Sequence, residues 1–300
     1  DAGLGCPDWP GCYGSLSVPS AASQISANNP DWDLQRFDAG KAWREMVHRY
    51  LAALLGVGIF MTVISRWRTS GFSGQNYPLF ATVPLVLIQG LLGMLTVTLL
   101  LQPLVVTAHL LGGLTILALL WWDSLMRIGL TPSRIKTKVT TRLLATIGLL
   151  VLILQILLGG WTSTNYAALA CVDFPQCQGL WWPNTDFRAG FSLWGPLGQN
   201  YEFGVLDTPA RTAIHMAHRL GAVLVFGVLV VLALFSIFCG DRVLSRVGTI
   251  VLILLLLQVS LGVANVMAGL PLYIAVAHNG VASLLLLSII TVLFLTRTQS

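Results

Sequence analysis

An all-α polytopic membrane protein, built as two pseudo-repeated four-helix bundles, is the fold this sequence predicts, and three observations predict it. The 300 residues are 55% hydrophobic and only 10% charged, with a mean hydropathy of +0.78, far from the balance of a soluble domain. Seven apolar stretches, about 47–66, 78–101, 104–126, 142–164, 212–238, 246–267 and 272–295, each approach the roughly 20 residues that a helix needs to cross a bilayer core. None alternates as a strand does. The chain also repeats itself at offsets of about 165–170 residues. Glu45-Met46-Val47-His48-Arg49 returns as His215-Met216-Ala217-His218-Arg219, Gln89-Gly-Leu-Leu-Gly93 as Gln258-Val-Ser-Leu-Gly262, and Cys6-Pro-Asp-Trp-Pro-Gly-Cys12 as Cys171-Val-Asp-Phe-Pro-Gln-Cys177.

In this register residue 1 maps near Tyr166, just after the stretch at 142–164. The expectation is a parallel repeat of two four-helix halves, with the first helix of the N-terminal half absent from this chain. The N-terminal half is then 1–128, a cytoplasmic linker 129–141, and the C-terminal half 142–300. Residues 13–40, rich in Ser, Ala, Asn and Pro, read as an outer loop with a short amphipathic helix near 31–45. The stretch at 78–101 contains Pro84, which should kink it, and Gln89, which needs a polar partner at membrane depth; Gln258 repeats that need. An interhelical hydrogen bond or a bound ligand would serve either glutamine. The outer loop 165–211, with Trp181, Trp182 and Trp194, suits either the membrane interface or a lid over a flat apolar ligand.

Charge sets the orientation. One side collects Arg66, Arg68, Arg127, Arg134, Lys136, Lys138, Arg142, Arg242, Arg246 and Arg297 against Asp123 and Asp241, so that side is the cytoplasmic one. The net charge of +5 follows from this topology, and nothing in the pattern points to nucleic acid.

The chemistry lies in the histidines. His48 and His109 form one pair and His218 and His278 its counterpart, each residue near the outer end of an apolar segment. Imidazole in a membrane helix is costly unless partnered, and neutral imidazole is a metal ligand. Zinc wants three or four protein ligands, whereas haem iron needs two axial ligands and takes further binding energy from apolar burial. Two bis-histidine haem sites are therefore expected, with no Cys-x-x-Cys-His for covalent attachment. Glu45 and His215 hold matching positions one turn before His48 and His218. A carboxylate beside one iron alone suggests one reactive site and one electron-transfer site. Glu45 serves there as a general base or cation stabiliser, or else as a salt-bridge partner of Arg44, Arg49 or a loop residue. Arg49 and Arg219 pair with haem propionates or anchor the interface. Cys6 with Cys12, and Cys171 with Cys177, are spaced for disulfides in an oxidising compartment, structural or redox-active. Cys239, at a cytoplasmic helix end, is an idle thiol.

Taken together, Gly-Leu-Gly-Cys-Pro-Asp-Trp-Pro-Gly-Cys at 3–12, Glu-Met-Val-His-Arg-Tyr at 45–50, Ala-His-Leu-Leu-Gly-Gly at 108–113, Ile-His-Met-Ala-His-Arg at 214–219 and Ala-His-Asn-Gly at 277–280 resemble the haem A synthases along the whole chain. The resemblance implies eight helices in two halves and oxidation of the C8 methyl group of haem O to the formyl group of haem A. It further implies that His48 and His109 hold the substrate haem with Glu45 as the catalytic carboxylate, and that His218 and His278 hold haem b as an electron relay. Successive hydroxylation, with water as oxygen source, would give a geminal diol that dehydrates to the aldehyde. Membrane lipid, a haem O synthase supplying the substrate, an external electron acceptor and a homo-oligomer are the implied partners, and the cell inner membrane the implied place. A two-haem b-type cytochrome and a haem transporter also need bis-histidine sites; neither needs a carboxylate beside only one of them.

Overall fold

The computed structural model describes residues 4–20, 25, 37–131 and 138–297. Among these residues it is all-helical, with eight α-helices: α1 Ala39–Ser70, α2 Tyr77–Thr98, α3 Pro103–Arg127, α4 Lys138–Thr164, the one-turn α5 Phe187–Gly190, α6 Thr208–Ile237, α7 Arg242–Met267 and α8 Leu272–Leu295. All except α5 are long and apolar enough to cross a membrane, and the protein is a polytopic all-α membrane protein. Residues 31–36 of the amphipathic helix expected near 31–45, and the linker residues 132–137 with Arg134 and Lys136, lie outside the described residues, while 39–45 form the first turns of α1.

Several helices extend past their apolar windows because polar caps set their ends. Asp38 accepts from the Lys41 backbone N–H at 3.0 Å and starts α1 eight residues ahead of the apolar stretch. Its carboxyl is held below the usual range, first by that amide hydrogen bond. Asp207 accepts from Ala210 N at 3.0 Å, with Pro209 in the first turn of α6; Asp241 accepts from Val243 N and Leu244 N, both at 2.9 Å, to start α7.

The turn that ends α2 comes earlier than hydropathy suggests. Leu100 and Leu101 take φ of 51° and 62°, and Leu101 N donates back to Thr96 O at 2.8 Å, closing the helix as a left-handed C-terminal motif does. The same turn recurs after α7, where Gly269 and Leu270 have φ of 71° and 63° and Leu270 N donates to Asn265 O at 2.7 Å. At this turn the first copy places Leu100 in a conformation that the second gives to glycine.

The chain forms two compact units, Asp1–Ile116 with Leu193–Val205, and Leu117–Ser192 with Leu206–Ser300. In the second unit α4 packs on α6, α6 on α7, α7 on α8, and α8 back on α4, a closed four-helix bundle. Its core is Leu229, Leu232, Ala233, Leu244, Val251, Leu255, Leu285 and Ile289, all at most 2% exposed. Lipid tails are as apolar as leucine, so close backbone approach stabilises such a bundle more than hydrophobicity does. Gly248 illustrates this: a Cβ there would fall 2.7 Å from Ser236 Cβ and 2.9 Å from Ala233 O. The C-terminal part of α3 joins this unit through Trp121 Nε1, which donates to Thr291 Oγ1 at 2.9 Å, and Trp122, whose ring meets Phe294 edge-on at 5.2 Å. In the first unit α1 packs on α2. Residues 193–205 are fastened there by Tyr201 N donating to Leu100 O at 3.0 Å and by the Lys41–Glu202 ion pair at 3.3 Å.

Candidate functional site

In the first unit, α1 carries Glu45, His48 and Arg49 and α3 carries His109. Residues three and four apart share a helix face. The His48 and His109 rings stand 6.4 Å apart, centroid to centroid, and nearly perpendicular at 83°. Glu45 uses both oxygens: Oε1 receives Arg49 Nη2 at 2.5 Å and Oε2 receives Cys6 N–H at 3.1 Å. The Arg49 ion pair is largely buried, at 13% and 12% side-chain exposure. Arg49 Nη1 also donates to Asp8 O at 3.0 Å, Pro10 O at 3.2 Å and Gly11 O. The guanidinium thus ties the carboxylate to the first disulfide loop.

The second unit repeats this arrangement with one chemical change. Arg219 donates to Gln176 O at 2.8 Å, Asp173 O at 2.7 Å and Cys171 O at 3.3 Å. At the position of Glu45 stands His215, buried, with Nδ1 3.0 Å from Ala167 O. His218 lies on α6 and His278 on α8. Both arginines are engaged by loop carbonyls, contacts that sequence spacing did not foretell.

The loops share one construction. The Cys6–Cys12 and Cys171–Cys177 disulfides are formed, with S–S 2.04 and 1.98 Å. They rest on Met46 and Met216 respectively, residues the sequence reading passed over although both sit inside the repeated motif. A two-residue turn follows each: Tyr13 and Gly14 have φ of 52° and 75°, Gln178 and Gly179 of 55° and 72°, the doubly left-handed turn of tight hairpins. Asp8 accepts from Tyr13 N at 2.6 Å and Gly14 N at 2.9 Å; Asp173 accepts from Gln178 N at 2.7 Å and Gly179 N at 2.8 Å. The Gly179 amide, foremost, holds the Asp173 carboxyl below the usual carboxylate range. Beyond the second loop, Trp181, Trp182 and Trp194 are exposed, and the Trp182, Phe187 and Phe191 rings stack in sequence. Cys239 is a free thiol.

Glutamines stand behind three of the four paired histidines. Gln89 Nε2 donates to His109 O at 2.7 Å. Gln258 Nε2 lies 3.2 Å from His278 Nε2. Gln155 Nε2 lies 3.1 Å from His218 Nδ1 and 3.0 Å from His218 O. Gln155 went unremarked in the sequence because the comparison of two halves, at an offset of about 169 residues, aligns it with no residue of this sequence. The missed signal was Gln-x-x-Leu-Gly, which occurs at 89–93, 155–159 and 258–262.

The pairs fit a haem iron on three counts. In the His48–His109 pair, a centroid spacing of 6.4 Å leaves room for one metal ion bonded to a nitrogen of each ring at about 2 Å. Nδ1 of His109 and of His278 is buried without a hydrogen-bond partner, a state that costs about 1–3 kcal/mol unless a ligand or metal satisfies it. And the space beside the rings is kept by glycine: a Cβ at Gly93, Gly159 or Gly262 would lie 3.4, 3.2 and 3.2 Å from Cε1 of His109, His218 and His278.

Comparison with known proteins agrees in one direction. The family model described as cytochrome oxidase assembly protein, COX15-CtaA, matches residues 1–290. The chain is 45% identical over 299 residues to the heme A synthase of Shewanella oneidensis, covering 97% of this chain and 88% of that protein. The heme A synthases of Methylobacterium radiotolerans, at 29% identity over 86% of this chain and 70% of theirs, and of Halalkalibacterium halodurans, at 25% over 95% and 85%, are similar as well.

Proposed function

Because the chain belongs to the COX15-CtaA family of cytochrome oxidase assembly proteins, we propose that it is a haem A synthase, oxidising the C8 methyl group of haem O to the formyl group of haem A. His48 and His109 hold the substrate and Glu45 is the catalytic carboxylate; His218 and His278 hold haem b. The observation that carries this assignment is the difference between two otherwise matching sites. Glu45 accompanies the first pair, while the second has His215, spent on Ala167 O at 3.0 Å.

The reaction converts a methyl group and two waters to a geminal diol, releasing four protons and four electrons, and loss of one water leaves the aldehyde. Haem b, when bound, supplies a one-electron relay towards an external acceptor. Glu45 takes up protons as carbon–hydrogen bonds break. Its Oε1 faces Arg49 and its Oε2 the Cys6 amide, so the carboxylate is oriented before substrate arrives. Arg49 binds that carboxylate and three loop carbonyls at once, which makes the first loop part of the catalytic support. Supply by a haem O synthase, residence in the cell inner membrane and histidine pairs near the extracytoplasmic face belong to the same reading.

Extraction and chromatography of the haems from purified protein test it. Haem O, its alcohol or haem A beside haem b is the expected result. Haem b alone at both sites, in cells that make haem O, would instead mark an electron-transfer cytochrome.

A further inference from the structure

Each Gln-x-x-Leu-Gly segment lies on the membrane helix preceding a histidine helix: α2 before α3, α4 before α6, α7 before α8. Residues four apart share a helix face, so the glutamine amide and the bare glycine backbone form one surface against one histidine. Every one of these amides uses its Nε2 and leaves Oε1 buried without a partner. The histidine helices make way for that oxygen: a Cβ at Gly112 would lie 2.6 Å from Gln89 Oε1, and one at Gly221 2.2 Å from Gln155 Oε1. Two of these amides lie beside a ring nitrogen, Gln155 at 3.1 Å from His218 Nδ1 and Gln258 at 3.2 Å from His278 Nε2, while Gln89 donates to the His109 backbone carbonyl.

An imidazole that binds a metal through one nitrogen carries a proton on the other, and that N–H seeks an acceptor which sets the ring's orientation and raises its basicity. Resting on the reading that His218 and His278 hold haem b, we propose that Gln155 is a positioning residue for His218, its amide oxygen accepting the Nδ1–H of the metal-bound ring. The Gln155 amide already lies 3.1 Å from Nδ1. Its last torsion is a broad, roughly two-fold one, so oxygen and nitrogen exchange places with little motion of the chain, the new Nδ1–H bond replacing the one that Nε2 now gives His218 O at 3.0 Å. Gly159 leaves room for the ring edge on the same face, since a Cβ there would lie 3.2 Å from His218 Cε1.

A stronger acceptor makes the ring a better donor to ferric iron and lowers the reduction potential; no acceptor raises it. The test is redox titration of the purified full-length chain in a His48→Ala background, which leaves one bis-histidine pair. Gln155→Met, similar in length and without an amide, should keep its haem yet lower the oxidised-to-reduced ratio at fixed ambient potential about tenfold, or 59 mV for one electron. Gln155→Glu should shift the ratio the opposite way. A residue that merely fills space predicts equal potentials, or shifts of one sign in both variants, and either result overturns the proposal. Should Gln155→Glu not fold, an unchanged potential in Gln155→Met overturns it alone. His218→Ala in the same background separates the two readings. Haem retained there refutes the assignment of the ligand, and the proposal with it. Haem lost there, with an unmoved potential in Gln155→Met, refutes the proposal only.

Discussion

Glu45 is neither free nor fully exposed: an arginine and a backbone amide hold it, one at each oxygen. Removing one partner of a largely buried ion pair costs about 3–5 kcal/mol of stability, a loss that shows in the yield of folded protein and not in turnover per folded molecule. Glu45→Gln keeps the side chain's shape and leaves Arg49 its loop carbonyls. The expected outcome is a folded protein with normal haem b and a rate of haem A formation about 10²–10⁴-fold lower, with haem O or the alcohol accumulating. Haem A formation within a few-fold of the parent, measured per unit of folded protein, removes Glu45 from the mechanism. The repeat in sequence made Glu45, the four histidines and the cysteine pairs stand out. It could not show that Arg49 and Arg219 turn to loop carbonyls, because backbone acceptors leave no mark on residue type. Nor did it reveal Gln155, whose motif is legible only when three helices are compared in place of two halves.

At the scale of elements, helices were legible where hydropathy rules and less so at their ends. Asp38 and Asp207 lie outside the apolar windows they start, and α2 stops at Thr98 because the two leucines after Leu99 take left-handed φ. Helix contacts follow from glycine more than from leucine. Gly248→Ala should destabilise the second unit by about 1–3 kcal/mol through overpacking against Ser236 and Ala233. Gly227→Ala, with nothing within 4 Å of its new Cβ, should not destabilise it. Thermal unfolding in detergent compares them, and equal melting temperatures would contradict the packing described. The second loop carries a pH signature. Asp173 has a folded pKa below its ordinary 3.8, so what it contributes is fully present above that value and is lost only as pH falls through the lower one. Hydrogen exchange of residues 171–180, corrected for intrinsic rate, should stay flat from about pH 7 to about pH 4 and rise below. A rise already near pH 5–6 would mean that the carboxyl is raised, against the two amides that face it.

For the whole molecule, the assignment of roles to halves makes a separable claim. His218→Ala or His278→Ala should strip most haem b from purified protein, and His48→Ala should leave it in place; similar loss in all three, by pyridine haemochrome, removes the division of labour. The repeated motifs made two halves visible in sequence. What they hid was residues 193–205, which follow Cys177 in the chain yet pack with the first unit through Tyr201, Glu202 and Phe203. A repeat compares like with like, and this segment has nothing to be compared with.

That segment bears on how such a protein could have arisen and how it can be taken apart. If the two halves descend from one duplicated gene, each ancestor closed itself with its own residues, and the present chain has since handed thirteen of them across. Such a loan is hard to revoke: a gene cut at the linker leaves the first half without Tyr201 on the Leu100 turn and without the counter-ion of Lys41. The halves can therefore drift in chemistry, as Glu45 and His215 have, while remaining bound to a single reading frame.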